Sequence, residues 1–208
     1  MGAVMDTATE TATDTATDTV MQLKNSTTAY GWVAIVLHWI SAIGVIWLYF
    51  LGEDIEHAKE DGLPRAEVVE LMSFHSSIGA LFFIFLAARI VSHIAQRQPS
   101  KPDQHRYLNL LSRAVMWLFL LMIGLQIITG PIIIWTRPAP VEIFDFMSIP
   151  SPFPARAEWL HEAAEFVHKY APNLFWPLII LHVAGALKHQ FIDKDGSALR
   201  IIRVKKDG

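Results

Sequence analysis

Four long apolar stretches constrain the fold of this chain more than any other feature of its sequence. A helix that crosses the hydrocarbon core of a bilayer, about 30 Å thick, needs about 20 mostly apolar residues. The first stretch covers residues 30–51, the second 71–94 and the third 114–135. The fourth has its apolar centre at 174–187 and begins near residue 157. The sequence therefore predicts an all-α membrane protein, a bundle of four transmembrane helices.

Polar residues occupy both ends of the chain. Residues 1–28 include the repeat TATETATDTATD at 7–18 and lack the positive start and apolar stretch of a signal peptide. We predict a disordered tail there, because such a composition has too little apolar surface to form a core. Residues 29–193 make up the predicted transmembrane domain, and residues 194–208 a basic C-terminal tail.

The positions of lysine and arginine predict the orientation of the bundle. Cytoplasmic loops of membrane proteins carry an excess of these residues. If the N-terminus is cytoplasmic, 12 of the 17 lysines and arginines fall on the inner side and five on the outer side. We therefore predict that both termini are cytoplasmic.

The absence of cysteine narrows the kinds of metal site that the chain can form. There is no cysteine, and there are nine histidines. This excludes disulfides, iron–sulfur clusters and the C-x-x-C-H signature of covalently attached haem. The net charge of −3 gives no indication of nucleic-acid binding. Any metal is expected on histidine, carboxylate or methionine.

Three histidines lie inside the predicted spans, where an ionisable side chain is rare and indicates function. His38 lies near the inner end of the first span, and His182 lies deep in the fourth, which runs in the opposite direction. The two are therefore at similar depth and are predicted to face each other across one iron. His75 lies near the outer end of the second span and needs a partner at the outer end of the fourth.

His168 and His161 are the two candidates for that outer partner. His168 lies 14 residues before His182, about 21 Å along a helix and on nearly the same face. His161 lies seven residues farther out, at or beyond the membrane interface. We predict His168 as the ligand and keep His161 as the alternative. Pro172, with Pro177 as a second interruption, could kink the helix and swing His161 inward.

Paired histidines at two depths favour haem over other metal groups. Two histidines on opposite sides of an iron fill both axial positions, which suits electron transfer rather than oxygen binding. Zinc needs a tetrahedral set of ligands close together, and histidines about 21 Å apart do not supply one. The sequence therefore predicts two haem irons, one near each face. A small transporter that uses the histidines as a proton relay is the non-redox alternative.

Three segments resemble the prokaryotic cytochrome b561 family, which is grouped with the cytochrome b subunits of membrane hydrogenases. They are YGWVAIVLHWISA in the first span, SFHSSIG in the second and LHVAGALKHQFIDKDG in the fourth. The resemblance covers nearly everything after residue 29. It implies four helices and two non-covalent b-type haems. One haem would be held by His38 and His182, the other by His75 and an outer histidine of the fourth span.

The sequence departs from the family pattern at this outer histidine. Family members often carry a histidine–glutamate pair 14 residues before the inner ligand. Here the pair is His161-Glu162, whereas the histidine at that spacing, His168, is followed by Lys169. The departure bears directly on which histidine holds the outer haem.

Basic residues at the inner helix ends are candidates for contacts with the cofactor. We expect Arg89, Lys188 and His189 to meet haem propionates or a quinone headgroup. His57 and His105 are expected in polar loops, and His93 is expected to cap a helix end or extend its ring to the interface.

These observations predict an electron carrier of the bacterial inner membrane, embedded in the lipid bilayer and exchanging electrons with quinone. Ubiquinone is the candidate substrate. The alternative is a haem-bearing anchor subunit that serves a redox partner protein, a dehydrogenase or a hydrogenase. A homodimer is a further possibility, and no feature of a hydrolase, kinase or nucleic-acid binder is present.

Overall fold

A computed structural model gives the structure of residues 22–100, 104–144 and 146–202. Within them, four helical segments are long and apolar enough to cross a membrane, as predicted. The fourth segment is divided by a 3-10 turn, so the described residues form five α-helices. They are α1 (Trp32–Glu60), α2 (Arg65–Ala95), α3 (Arg106–Trp135), α4 (Glu158–Tyr170) and α5 (Phe175–Leu187).

The helices extend beyond the apolar stretches from which they were predicted. α1 ends at Glu60 rather than near residue 51, and α2 begins at Arg65 rather than near residue 71. A helix of 29 residues is about 43 Å long, which exceeds the ~30 Å hydrocarbon core. Polar residues therefore continue the helices into the interface, where hydropathy does not reveal them. His57, predicted in a loop, lies in the last turn of α1.

The two prolines of the fourth segment have different effects. Pro172 lies in the 3-10 turn Ala171–Leu174, where its missing N–H group interrupts the α-helix, as predicted. Pro177 lies in the first turn of α5, where no N–H donor is needed, so the suggested second interruption does not form. Beyond α5 the chain continues as a π-helical turn, Lys188–Asp193.

The bundle packs around a small apolar core and turns most of its large apolar side chains outward. α1 approaches α2 closely at Gly44, where a Cβ atom would lie 2.3 Å from Cδ1 of Phe82. Ile43, Ile84 and Ile180 are among the many apolar side chains exposed on the outer surface. Such a surface suits contact with lipid and not with water. The core consists of buried side chains of α2, α3 and α5, namely Leu86, Val115, Met122, Ile123, Phe175 and Leu178.

A short hairpin between α3 and α4 covers the outer end of the bundle. Strands β1 (Val141–Ile143) and β2 (Met147–Ile149) pair antiparallel. The hydroxyl of Ser77, buried in α2, accepts a hydrogen bond from the Phe144 N–H at 2.9 Å. The same hydroxyl donates to the Glu142 carbonyl at 3.3 Å. The hairpin therefore lies against the turn of α2 that carries His75.

Residues 22–28, assigned to the polar tail by composition, pack against the segment between α2 and α3. The Asn25 N–H donates to Oε1 of Gln96 at 3.0 Å, and the Ser100 N–H donates to the Thr27 carbonyl at 2.8 Å. This part of the tail therefore has defined contacts. The rest of the predicted N-terminal tail, residues 1–21, and the last residues of the C-terminal tail, 203–208, lie outside the described residues.

Candidate functional site

The first histidine pair joins the start of α1 to α5. The ring centres of His38 and His182 are 6.1 Å apart, with the ring planes inclined at 50°. Phe119 of α3 meets the His182 ring edge-on at 5.8 Å. Both histidines lie near the end of the bundle predicted to be cytoplasmic, and the distance between their rings places them at similar depth.

The second pair lies toward the opposite end and joins α2 to α4. The ring centres of His75 and His168 are 6.2 Å apart, and the rings are nearly perpendicular, at 85°. Nδ1 of His75 is buried without a hydrogen-bond partner among the described residues. A buried polar atom left without a partner is uncommon and calls for a group that the surrounding protein does not supply.

Thr129 of α3 fixes the His168 ring. Its hydroxyl donates to the Leu125 carbonyl at 2.6 Å, and its oxygen lies 3.0 Å from Nδ1 of His168. Because the hydroxyl proton is already used, the oxygen accepts a hydrogen bond from Nδ1–H. The other ring nitrogen, Nε2, then carries no proton and offers a lone pair to a metal.

His161, the alternative outer residue, is held in a different network and is only 2% exposed. Its Nε2 accepts a hydrogen bond from Nε of Arg137 at 3.1 Å. Its Nδ1 lies 2.9 Å from the hydroxyl of Thr136 and 3.1 Å from the carbonyl of Ile133. Both ring nitrogens are therefore engaged in fastening α4 to the end of α3. This arrangement favours His168 over His161 as the partner of His75.

Within the part of the chain that the structure describes, neither pair has the third ligand that a zinc site needs. The group of three metal-ligating side chains found among the described residues is His189, Asp193 and Asp195, at the far end of the fourth segment. Each histidine pair thus offers two nitrogens, the number that an axially ligated haem takes.

Comparison with known proteins places this arrangement in a family. Residues 29–203 match the sequence profile of the prokaryotic cytochrome b561 family. The chain belongs to this family. It is also 28% identical over 190 residues to cytochrome b561 homolog 2 of Escherichia coli (strain K12), covering 88% of this chain and 95% of that protein.

Membership of the cytochrome b561 family establishes the class of protein and its cofactor. The chain is a multi-pass membrane protein that binds haem b and transfers electrons. The predicted family, the four-helix membrane fold and the haem cofactor are thereby confirmed. The distances and hydrogen bonds of the two histidine pairs bear on the number of haems and on their ligands.

The dimensions of both pairs fit the axial ligands of a cytochrome b561 haem. Two imidazole nitrogens on opposite sides of one metal lie about 4 Å apart at metal–nitrogen bonds of about 2.0 Å, so the ring centres are about 6 Å apart. The separations of 6.1 and 6.2 Å agree with this value. Space is also present beside His182, because a Cβ atom added at Gly185 would meet nothing within 4 Å.

Two glycines lie beside the rings of the outer pair, His75 and His168. A Cβ atom at Gly130 would lie 3.3 Å from Cε1 of His168, and one at Gly52 would lie 3.9 Å from Cε1 of His75. The contact at Gly130 is tight enough that a larger residue would displace the His168 ring. The glycine in α3 therefore allows the ring to take the orientation that Thr129 fixes.

Arg89, predicted to meet haem propionates or a quinone headgroup, lies close to the inner pair. Its guanidinium acts electrostatically on His38 and His182. Among the described residues, no carboxylate lies within ion-pair distance of Arg89. A cation without an acidic partner beside a haem site is suited to a propionate.

Lys188 and His189 are engaged by acids of the following turn. Lys188 pairs with Asp193, and Nδ1 of His189 lies 2.7 Å from Oδ2 of Asp195. Burial raises the pKa of Asp195, but hydrogen bonds from Ser197 and His189 outweigh it and hold that pKa below its ordinary value. Lys188 and His189 thus each have an acidic partner nearby, which makes Arg89 the best placed of the three basic candidates.

Some side-chain contacts of Thr129, His93 and His105 were not predicted from the sequence alone. Thr129 is one of the few polar residues in an uncharged span, and that rarity is the signal that could have revealed it. His93 was expected to cap a helix end, yet its side chain is buried and faces Trp117, with ring centres 5.8 Å apart. His105, expected in a loop, immediately precedes α3 and stacks on Tyr107.

Proposed function

We propose that this protein passes electrons between two haem b groups near opposite faces of the bacterial inner membrane. His38 and His182 hold the haem near the cytoplasmic face, and His75 and His168 hold the other. The observation that carries the proposal is the presence of two separate pairs with ring centres 6.1 and 6.2 Å apart. Both termini are cytoplasmic in this proposal, following the distribution of lysine and arginine.

The histidine ligands and their neighbours determine which reactions each haem can carry out. Haem supplies one-electron chemistry at its iron. At each site two histidines would hold the iron, a ligand set that suits electron transfer rather than oxygen binding. Thr129 keeps Nε2 of His168 directed to a metal through the hydrogen bond to Nδ1. The Phe119 ring packs edge-on against His182 and would cover one side of the inner site.

Two non-covalent haems per chain are the expected result of a direct count. The purified protein is quantified by amino-acid analysis, and its haem is measured as the pyridine complex before and after extraction with acid acetone. All haem should be extracted, because the chain has no cysteine to bind it covalently. A ratio of one haem per chain would refute the two-haem proposal.

Replacing Thr129 by valine is expected to weaken the outer haem site and to spare the inner one. Valine has the shape of threonine but cannot accept the hydrogen bond from Nδ1 of His168. Loss of such an orienting contact typically lowers metal-site affinity by about 10–100-fold. Haem titration and a potentiometric titration of the outer haem measure the effect.

The matched control for this substitution is Thr129→Ser, which keeps the hydroxyl and should retain outer-haem affinity. If Thr129→Val binds haem with unchanged affinity and unchanged potential, Thr129 does not orient a ligand.

Membrane quinone is the proposed exchange partner, with ubiquinone as the candidate. The lipid-facing bundle gives an apolar substrate access to the protein from within the bilayer. Anaerobic addition of ubiquinol-1 to the purified protein should reduce its haem. The competing proposal, an anchor subunit for a dehydrogenase or hydrogenase, keeps the same haem pairs and requires a large redox subunit that co-purifies with the chain.

A further inference from the structure

A cavity of about 440 Å³ opens where α2 ends and α3 begins, at the end of the bundle that holds His38 and His182. We propose that this cavity binds the headgroup of a membrane quinone, with His93 in hydrogen-bond contact with a headgroup oxygen. The inference rests on the proposed exchange of electrons with quinone and gives it a location. The residues that carry it are His93, Ile94, Gln98, Arg113, Met116 and Trp117.

His93 supplies the polar contact. Its side chain is 8% exposed, and its ring nitrogens make no hydrogen bond with any residue that the structure describes. The backbone carbonyl of His93 accepts a hydrogen bond from Nε2 of Gln98 at 2.8 Å, which holds the adjoining loop in place. A ring that is buried beside a cavity, fixed at its backbone and without a polar partner is available to a ligand. An imidazole can donate to a quinone carbonyl or accept from a quinol hydroxyl.

The remaining walls suit a flat ring with an apolar tail. Trp117 meets His93 edge-on, with ring centres 5.8 Å apart and planes at 89°, so the indole offers a flat surface next to the polar contact. Met116 adds a polarisable apolar wall. Ile94 and Trp117 are 65% and 56% exposed, on a surface that faces lipid in the membrane. A headgroup can therefore enter while its tail stays among the acyl chains.

A phospholipid headgroup is a poorer match to the same cavity. Phosphate recognition usually draws on several cationic or backbone N–H donors. Among the lining residues, Arg113 is the one permanent cation, and the other polar groups are neutral histidine and glutamine side chains. The chemistry of the walls therefore favours a neutral aromatic headgroup with hydrogen-bonding oxygens.

The cavity lies at nearly the same depth as the inner histidine pair. On α3, Trp117 contacts His93 and Phe119 contacts His182, and the two residues differ by only ~3 Å of helix rise although they leave the helix on different faces. On α2, Arg89 lies one turn before His93 and interacts electrostatically with His93 as well as with His38. A headgroup in the cavity would thus lie at the same end of the bundle as the inner haem site.

Photolabelling of the haem-loaded, full-length protein tests the location. An azido-ubiquinone is bound in detergent, illuminated, and mapped by mass spectrometry after proteolysis. We expect label on the residues that surround the cavity, in the peptides containing His93 and Trp117. Excess ubiquinone should compete with the label, and excess phosphatidylglycerol should not. Competition by phosphatidylglycerol alone would show that the cavity is a lipid site and would overturn the proposal.

Substitutions at the two contact residues sharpen the test. His93→Ala should raise the quinone concentration needed for half-maximal labelling about five- to tenfold, through loss of one hydrogen bond. His93→Gln retains a donor and should stay near the wild-type value. Trp117→Ala should raise it about threefold, and the exposed indole makes this variant tolerant in folding. Trp32→Ala, an exposed tryptophan at the start of α1, is the matched control and should have no effect.

The haem spectrum reports folding in every variant and separates the two proposals. If ubiquinol reduces the wild-type haem but label appears elsewhere, such as residues 188–195, the site is wrong and quinone exchange stands. If ubiquinol does not reduce the wild-type haem and no competitive label appears, quinone exchange itself is wrong. Unchanged labelling of a correctly folded His93→Ala protein also overturns the site.

Discussion

Replacing His38 by alanine is expected to remove one of two haems, and replacing His182 by alanine to remove the same one. The two ring centres are 6.1 Å apart, so in the proposed arrangement both imidazoles serve a single iron. Either substitution leaves that iron with one protein ligand, and a haem without a covalent attachment then dissociates or becomes high-spin. The haem count per chain should fall by about half, with the low-spin signal of the other haem retained. Reduced-minus-oxidised spectra and the pyridine haem assay measure both quantities.

His57→Ala is the control for these two substitutions. His57 is an exposed histidine in the last turn of the same helix, far from both pairs in sequence, and its loss should leave two haems. The retained outer haem shows in each variant that the bundle has folded. Depletion of spectrally different haems by His38→Ala and His182→Ala would mean that these residues do not share an iron.

The sequence predicts the inner pair from depth alone. Two spans of opposite direction place His38 and His182 at similar depth, and α5 continues without interruption past Pro177 to His182 and beyond. Long apolar stretches predict such spans well, since the bilayer leaves few other structures for the backbone. The fold and one pair therefore follow from residue counting and helix rise.

The outer site depends on contacts that residue counting does not reveal. The choice between His161 and His168 turns on which of them meets a hydrogen-bonding partner on α3, a helix with no histidine of its own. Thr129 of α3 lies beside His168, and Thr136, which follows the last residue of α3, lies beside His161. Similarly, the pairing of Lys188 with Asp193 comes from a π-helical turn that no sequence periodicity predicted.

Opposite outcomes are expected when the two outer histidines are each replaced by alanine. His168→Ala should lose the outer haem, because Nε2 of His168 is the nitrogen left free beside His75. His161→Ala should keep both haems and instead lower the stability of the fold by about 1–3 kcal/mol, the usual effect of removing one member of a buried hydrogen-bonded set. Haem content and thermal unfolding of the two variants, measured side by side, provide the comparison.

The physical reason for this difference lies in the number of free nitrogens. A neutral imidazole has one donor and one acceptor. In His161, Nε2 accepts a hydrogen bond from the Arg137 guanidinium, and Nδ1 lies against the Thr136 hydroxyl and the Ile133 carbonyl. Binding of a metal by His161 would therefore break hydrogen bonds that hold α4 to the end of α3. In His168 only the donor nitrogen makes a hydrogen bond.

His161→Asn, which can keep one of the hydrogen bonds of His161, should recover part of the lost stability with no change in haem content. If His161→Ala loses the outer haem while His168→Ala keeps it, α4 must rotate about the Pro172 turn when haem binds, and the pairing of His75 with His168 is wrong.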